Sequence, residues 1–137
     1  MKIVLEPWSI TPTRAHEFDA GLDLYSAYDD VCIFPGESEL FDTGVHIQLP
    51  KNTVGFLKSK SGLNVKYGIT SEGVIDAGYT GSIMVKLYNH SDKTYRVRKG
   101  DKISQLVILP CLLPELEVVG SLEDTERGTG GFGSTGR

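Results

Sequence analysis

Short apolar runs in which every second residue is polar recur along this chain, broken by turn residues about every 8 to 12 positions, and that rhythm belongs to all-β sandwiches and barrels. Ile83, Val85 and Leu87 alternate with Met84, Lys86 and Tyr88; Val45, Ile47 and Leu49 alternate with Gly44, His46 and Gln48 before Pro50. Val31 and Ile33 alternate with Cys32 and Phe34 ahead of Pro35-Gly36, and Val54 and Phe56 with Thr53, Gly55 and Leu57. After a turn at Asn89-His90-Ser91-Asp92, Tyr95 and Val97 alternate with Arg96 and Arg98. A period of two puts successive side chains on opposite faces, so each run is a half-buried strand. The start of the chain reads as a first strand ending at Pro7. Ile103 to Leu109 is nearly continuous apolar and is expected to be buried on both faces, while Leu116 and Val118 are expected to begin a last short strand. The one helix candidate, Ser61 to Lys66, has at most about two turns. The expectation is an all-β, jelly-roll-like β-sandwich or barrel with one short helix.

The 137 residues make one domain, and a chain of about 150 residues hides roughly two thirds of its unfolded surface without staples. No run of about 18 apolar residues offers a membrane span, and the first residues lack the apolar core of a signal peptide, so a cytoplasmic protein is expected. Cys32 and Cys111 each sit in an apolar run, which predicts buried free thiols rather than a disulfide or a metal site. A net charge of −4 excludes an extended nucleic-acid surface, because such a surface needs many Lys and Arg contacts to phosphate. One small basic pocket for a single phosphorylated ligand remains compatible with it.

Two stretches point to chemistry. Gly73-Val74-Ile75-Asp76-Ala77-Gly78-Tyr79-Thr80-Gly81 sets a carboxylate and a phenol three residues apart in a glycine-bounded turn between two apolar runs. Glycines there permit unusual backbone and let another molecule approach the main chain. On these residues alone the hairpin is either a surface turn or a small-molecule pocket. The last ten residues hold five of the sixteen glycines and one large apolar side chain, Phe132, so they cannot order themselves by burial. They are either a frayed terminus or an arm. Arg127, Phe132, Ser134 and Thr135 supply a guanidinium fork, an aromatic plate and two hydroxyls that suit a phosphorylated aromatic ligand.

Five segments in order carry a family resemblance: Asp19-Ala-Gly-Leu-Asp-Leu-Tyr-Ser26, Ser59-Lys-Ser-Gly-Leu63, Gly73 to Gly81, Gly100-Asp-Lys-Ile-Ser-Gln-Leu106, and Arg127-Gly-Thr-Gly-Gly-Phe-Gly-Ser-Thr-Gly136. Together they resemble the motifs of the homotrimeric dUTP nucleotidohydrolases (dUTPases) over nearly the whole chain. The resemblance implies a jelly-roll domain over residues 1–126 and a C-terminal arm, 127–137, exchanged within a trimer. It implies hydrolysis of dUTP to dUMP and pyrophosphate with Mg²⁺, which keeps uracil out of DNA and supplies dUMP for thymidylate synthesis. Each site would draw its nucleoside hairpin, its phosphate motifs and its lid from three different subunits.

By the same resemblance Asp76 orients and deprotonates the water that attacks the α-phosphorus, and Tyr79 packs under the deoxyribose and crowds out a 2′-hydroxyl. Thr70, Gly73, Val74, Ile75 and Met84 stand where the family recognises uracil, largely through main-chain groups; an Asn is common where Thr70 stands. Phe132 would stack on the base. Lys60, Ser61, Gly62, Gln105, Arg127, Gly133, Ser134 and Thr135 match phosphate-binding positions, with Lys60 in place of the usual Arg and so without its bidentate fork. Gln105 also fits a structural hydrogen-bond role. Asp23, set between Leu22 and Leu24, needs a partner: either the metal's water shell, the basic residue of the phosphate site, or a structural salt bridge. Scattered histidines give no transition-metal site, and Mg²⁺ carried by the triphosphate fits better than a protein cage. A dCTP deaminase on the same fold would place a Glu about ten residues beyond the Asp, where this chain has Lys86. A regulatory nucleotide-binding trimer is the other alternative, and a regulatory protein partner leaves no readable mark.

Overall fold

A computed structural model describes residues 1–131, so Phe132, Gly133, Ser134 and Thr135 lie outside the described residues. The strands are β1 (Lys2–Leu5), β2 (Gly21–Tyr25), β3 (Val31–Ile33), β4 (Ser38–Gln48) and β5 (Thr53–Lys58). A helix of about two turns, α1 (Ser61–Tyr67), is followed by β6 (Ile69–Asp76), β7 (Ser82–Asn89), β8 (Tyr95–Val97) and β9 (Lys102–Pro110). Seven strands join in the order β1-β4-β7-β6-β5-β9-β2, and β3 with β8 forms a separate two-stranded ribbon. Every pairing is antiparallel. Leu22 and Leu24 of one edge strand line the same gap as Ile3 of the other. The sheet therefore curls until its ends face each other around one core, and the expected all-β architecture is the observed one.

The alternation drives that curl. In β7, Ile83, Val85 and Leu87 are buried while Met84, Lys86 and Tyr88 face out. They meet Phe41, Val45 and Ile47 of β4, Leu57 of β5, Ile75 of β6 and Leu106 of β9 in the core. Helix α1 contributes no buried residue. It stops because Gly68 adopts left-handed backbone (φ 65°), and the Gly68 amide donates to the Asn64 carbonyl at 2.9 Å.

Three expectations need correction, and one strand went unread. Residues 111–119 form no strand, and Leu116 and Val118 are 95% and 99% exposed; alternation becomes a strand only where an edge accepts it. The Gly21–Tyr25 stretch is a strand that its interrupting Asp23 concealed. Cys32 is exposed rather than buried, because Val31 and Ile33 take the inward face of β3 and leave it outside; Cys111 is half-buried, and both thiols are free. Leu109 of β9 is exposed, since β2 pairs with β9 only as far as Val107 and leaves the last residues beside β5 alone.

Asn89 is the fully buried polar side chain that ties the ribbon to the sheet. Its amide donates to the Ile33 and Lys93 carbonyls, both at 2.8 Å, and its oxygen accepts from the Ser91 amide and hydroxyl at 3.0 and 2.8 Å. Asn89→Ala strands these groups, and each buried unsatisfied polar group costs about 1–3 kcal/mol. Denaturant unfolding is expected to show a loss of at least that size; an unchanged midpoint would contradict the assignment.

Candidate active site

Strand β6 changes partners halfway along. Ile69, Thr70 and Ser71 pair with Asn89, Tyr88 and Leu87 of β7, and there that ladder stops. From Glu72 to Asp76 the strand pairs with β5 instead, while Ser82 to Met84 of β7 pair with β4. The two arms of the hairpin are thus pulled apart by different neighbours. Between them lies a cavity of about 250 Å³ lined by Leu57, Gly73, Val74, Ile75, Asp76, Tyr79 and Met84. Leu57 and Ile75 are buried, whereas Val74, Tyr79 and Met84 are 60%, 42% and 37% exposed. The edges of β6 and β7 that face this gap have no strand partner there, so their peptide groups are available to a planar polar ligand.

The turn at the mouth is braced from three sides. The Tyr79 amide donates to the Asp76 carbonyl at 3.0 Å, and the Tyr79 hydroxyl donates to the Ser82 carbonyl at 2.9 Å. The ring folds back over Gly81, where any Cβ would collide with it. From β4, Nδ1 of His46 lies 2.9 Å from the Thr80 carbonyl oxygen, and Nε2 lies 3.3 Å from the Glu6 carboxylate. Because a carbonyl only accepts, Nδ1 carries the proton. Asp76, at the last position of β6, is exposed at the rim.

A second polar cluster sits toward the β2 edge of the sheet. Asp23 is 3% exposed and holds two ammonium groups, Lys60 on Oδ1 and Lys102 on Oδ2, the latter at 2.8 Å. Burial alone would push its carboxyl up, but the hydrogen bonds and charges of Lys102 and Lys60 hold it below the ordinary value. Contact with Asp23 correspondingly raises the Lys102 ammonium. Lys60 leaves the chain where β5 gives way to α1, beside the exposed Ser61 and Gly62. Gln105, the cross-strand neighbour of Asp23, donates from Nε2 to the Ser59 carbonyl at 3.0 Å and fills the space left by Gly21, whose Cβ would strike it. The corner is locked by hydroxyls: Ser59 accepts from the Ser71 amide at 2.9 Å, and the buried Ser71 and Ser104 hydroxyls meet at 2.7 Å.

The structure brings Gly73, Val74, Ile75, Asp76, Tyr79 and Met84 together, and separately Asp23, Lys60 and Gln105. It does not bring these two groups to each other. Glu72, Lys58, Gln105 and Asp23 form one row across β6, β5, β9 and β2. At strand spacings of roughly 4.8 Å and rises of roughly 3.3 Å per residue, Asp76 lies about 14 Å across and about 13 Å along the sheet from Asp23. Thr70 lines the neighbouring cavity rather than the parted hairpin, its hydroxyl 2.8 Å from Nε2 of His90. Arg127 is exposed, its Nε donating to the Gly130 carbonyl at 3.0 Å. Lys86 places its ammonium 5.3 Å from the centre of the Tyr88 ring, so no carboxylate stands on that strand position. Sequence reasoning overlooked His46 and Lys102; the first had no signal, while the second sits in the Gly100–Leu106 motif already singled out. Among the described residues no group of three or more His, Cys, Asp or Glu is placed to cage a metal ion, and no helix is long and apolar enough to cross a membrane.

The comparisons agree with this geometry. The model of the dUTPase family matches residues 8–136. A deoxyuridine 5′-triphosphate nucleotidohydrolase of Gloeothece citriformis is 48% identical over 135 residues, covering 96% of this chain and 92% of that one. Among solved structures, the Staphylococcus bacteriophage 80alpha dUTPase with dUpNHpp superposes with a TM-score of 0.91 at 33% identity, covering 99% of this chain and 98% of that one. A mutant dUTPase of phage phi11 of S. aureus, described as revealing the coordination of a structural Mg(II) ion, gives a TM-score of 0.80 at 32% identity over 90% of this chain and 98% of that one.

A carboxylate held below its usual pKa of 3.8 adds stability that is present above that pH and is lost as pH falls through the folded-state value. Asp23→Asn is therefore expected to melt at a lower temperature than the native chain at neutral pH, with the gap narrowing below pH 3.8. A gap that is independent of pH would show that the two lysines do not hold the carboxylate in this way.

Proposed function

This chain belongs to the dUTPase family, and from that premise we propose that it hydrolyses dUTP to dUMP and pyrophosphate in a homotrimer whose sites are each assembled from several copies. The observation that carries the reading is the parted hairpin, a slot with unpaired main-chain edges that ends in a carboxylate and a braced phenol. Uracil entering the slot would take its hydrogen bonds from the peptide groups of residues 73–75 and pack against Val74 and Met84. A slot edged by backbone is narrow, so the 5-methyl of thymine and the amino group of cytosine fit it poorly. The Tyr79 ring, fixed by its bond to Ser82 and its fit over Gly81, would lie flat under the deoxyribose. A ribose would press its 2′-hydroxyl into that ring.

In the reaction a water oxygen bonds to the α-phosphorus and the bond from that phosphorus to the oxygen bridging to the β-phosphorus breaks. Pyrophosphate carries away the electron pair. The water's proton passes to Asp76, whose place at the rim of the slot suits it to hold that water in line. The attacked phosphorus must also meet positive charge, and the separation of Asp76 from the Lys60 cluster exceeds the reach of one triphosphate on one chain. A neighbouring copy would therefore contribute Lys60, Ser61, Gly62 and Gln105. The arm over residues 127–137 would bring Arg127, Gly133, Ser134 and Thr135 to the β- and γ-phosphates and Phe132 to the base. Thr70, with its hydroxyl on His90, would shape the approach to the slot from the adjoining cavity. Mg²⁺ would arrive on the triphosphate and neutralise its charge. Asp23, almost wholly buried beneath its two lysines, would reach the ion's water shell only where one of them swung aside.

The test is pyrophosphate release from dUTP, dTTP, dCTP and UTP with Mg²⁺. Rapid release from dUTP alone is expected, and ammonia release from dCTP would instead identify a deaminase. Asp76→Asn is expected to lower turnover at least about a thousandfold while leaving nucleotide affinity within a few-fold, the pattern of a group acting only in the transition state. Normal turnover in that variant would remove Asp76 from its role. Deleting residues 127–137 is expected to lower turnover by about two orders of magnitude without lowering the melting temperature.

A further inference from the structure

Lys102 takes no part in the mechanism above, yet the fold goes out of its way to place it. The register of β2 on β9 slips once: Leu24 pairs with Ser104, but Tyr25 pairs with Lys102, so Ile103 is the extra residue of a bulge. In a regular ladder Ile103 would oppose Tyr25 and Lys102 would point to the other face. A one-residue slip reverses the face of every side chain beyond it. The bulge thus brings Lys102 to the face of Asp23, where its Nζ sits 2.8 Å from Oδ2.

Counting charge at this corner gives the consequence. At contact distance one carboxylate meets two ammonium groups, a local surplus of one positive charge that the more distant Asp19 beside Lys102 tempers. The Asp23 side chain is 4% exposed, against 26% for Lys60 and 43% for Lys102. The anion is sealed inside, and the surplus faces solvent beside Ser61 and Gln105. With Lys102 absent the sum would be zero. A buried carboxylate without a second cation would draw Lys60 onto both of its oxygens, because an uncompensated buried charge is strongly unfavourable.

We propose that Lys102 is a positioning residue for substrate phosphate. By satisfying one oxygen of Asp23, it keeps Lys60 free to turn its ammonium toward the triphosphate. The two lysines and their shared carboxylate do the work of a single guanidinium, with one net charge and two anchored donors. The proposal rests on the dUTP reading for the identity of the ligand and adds to it a residue and a charge balance.

The test measures affinity for the imido analogue dUpNHpp and for deoxyuridine, without divalent metal so that no hydrated ion contributes. Native protein that binds neither overturns the dUTP reading itself. Given native binding, Lys102→Met is expected to weaken dUpNHpp about tenfold, the loss of one charge-assisted contact, and to leave deoxyuridine unchanged. Lys102→Arg, which keeps the charge, is expected to remain within about threefold of native. In a Lys60→Met background the Lys102→Met change is expected to add less than about twofold, since it acts through Lys60. The double variant Asp23→Asn/Lys102→Met, which restores the surplus charge and removes the buried anion, is expected to regain most of the lost affinity. It also serves if Lys102→Met alone fails to fold. Equal losses for dUpNHpp and deoxyuridine, full additivity with Lys60→Met, or no recovery in the double variant each overturn the proposal.

Discussion

The site depends on one exchange of hydrogen bonds. At the step from Ser71 to Glu72, β6 leaves β7 and joins β5, while the far half of β7 stays with β4. An unpaired peptide edge inside a protein is costly unless something completes it. Here two such edges face each other across a gap of about 250 Å³, at the rim where solvent reaches them. The split converts an ordinary hairpin into a slot that asks for a flat molecule with alternating donors and acceptors. Tyr79 and His46 matter because they stop the slot from closing: one ties the turn to Ser82 and the other ties Thr80 to β4.

The second constraint is electrostatic and lies toward the β2 edge of the same sheet. A carboxylate as deeply buried as Asp23 must be paired, and the fold pairs it twice. The lysines cannot both be neutralised by it, so this corner of an otherwise acidic chain remains positive. That surplus, with the exposed Ser61 and Gly62 and the anchored Gln105 beside it, is what the proposed phosphate contacts draw on. Slot and positive corner are each well formed, yet the sheet holds them apart. That separation, which follows from strand order and spacing, is why the proposed site draws on more than one copy of the chain.

Much of this was legible in the sequence. The alternation of Ile83, Val85 and Leu87 with Met84, Lys86 and Tyr88 fixed both the strand and its inward face, because every residue obeys the same period. Five of the slot residues were named through the Gly73–Gly81 motif and Met84 through the resemblance, while Leu57 was not singled out; the dUTPase resemblance stated from five motifs agrees with the family that residues 8–136 match. What escaped was whatever depends on a partner far away in the chain. Asp23 broke the apolar pattern of β2 and hid the strand, since its lysines lie at positions 60 and 102. Lys102 reached that carboxylate only through a bulge, which has no mark in local sequence. Cys32 was read from the apolarity of its run when the period of two already placed it outside. Leu116 and Val118 had the right alternation but no edge among the described residues to receive them. Thr70 was grouped with the slot through the family resemblance, in a position where Asn is common, and the exchange of partners at Ser71 sets it in the adjoining cavity.

The central claim is that slot and positive corner meet only between copies. Its most direct test is complementation. Chains carrying Asp76→Asn and chains carrying Lys60→Ala with Ser61→Ala are purified separately, then unfolded and refolded together. Each parent alone is expected to be nearly inactive toward dUTP, whereas the mixture is expected to recover a substantial fraction of native turnover, because some sites receive an intact slot from one chain and an intact corner from another. A mixture no more active than the sum of its parents would contradict the claim and place both halves of the site on one chain.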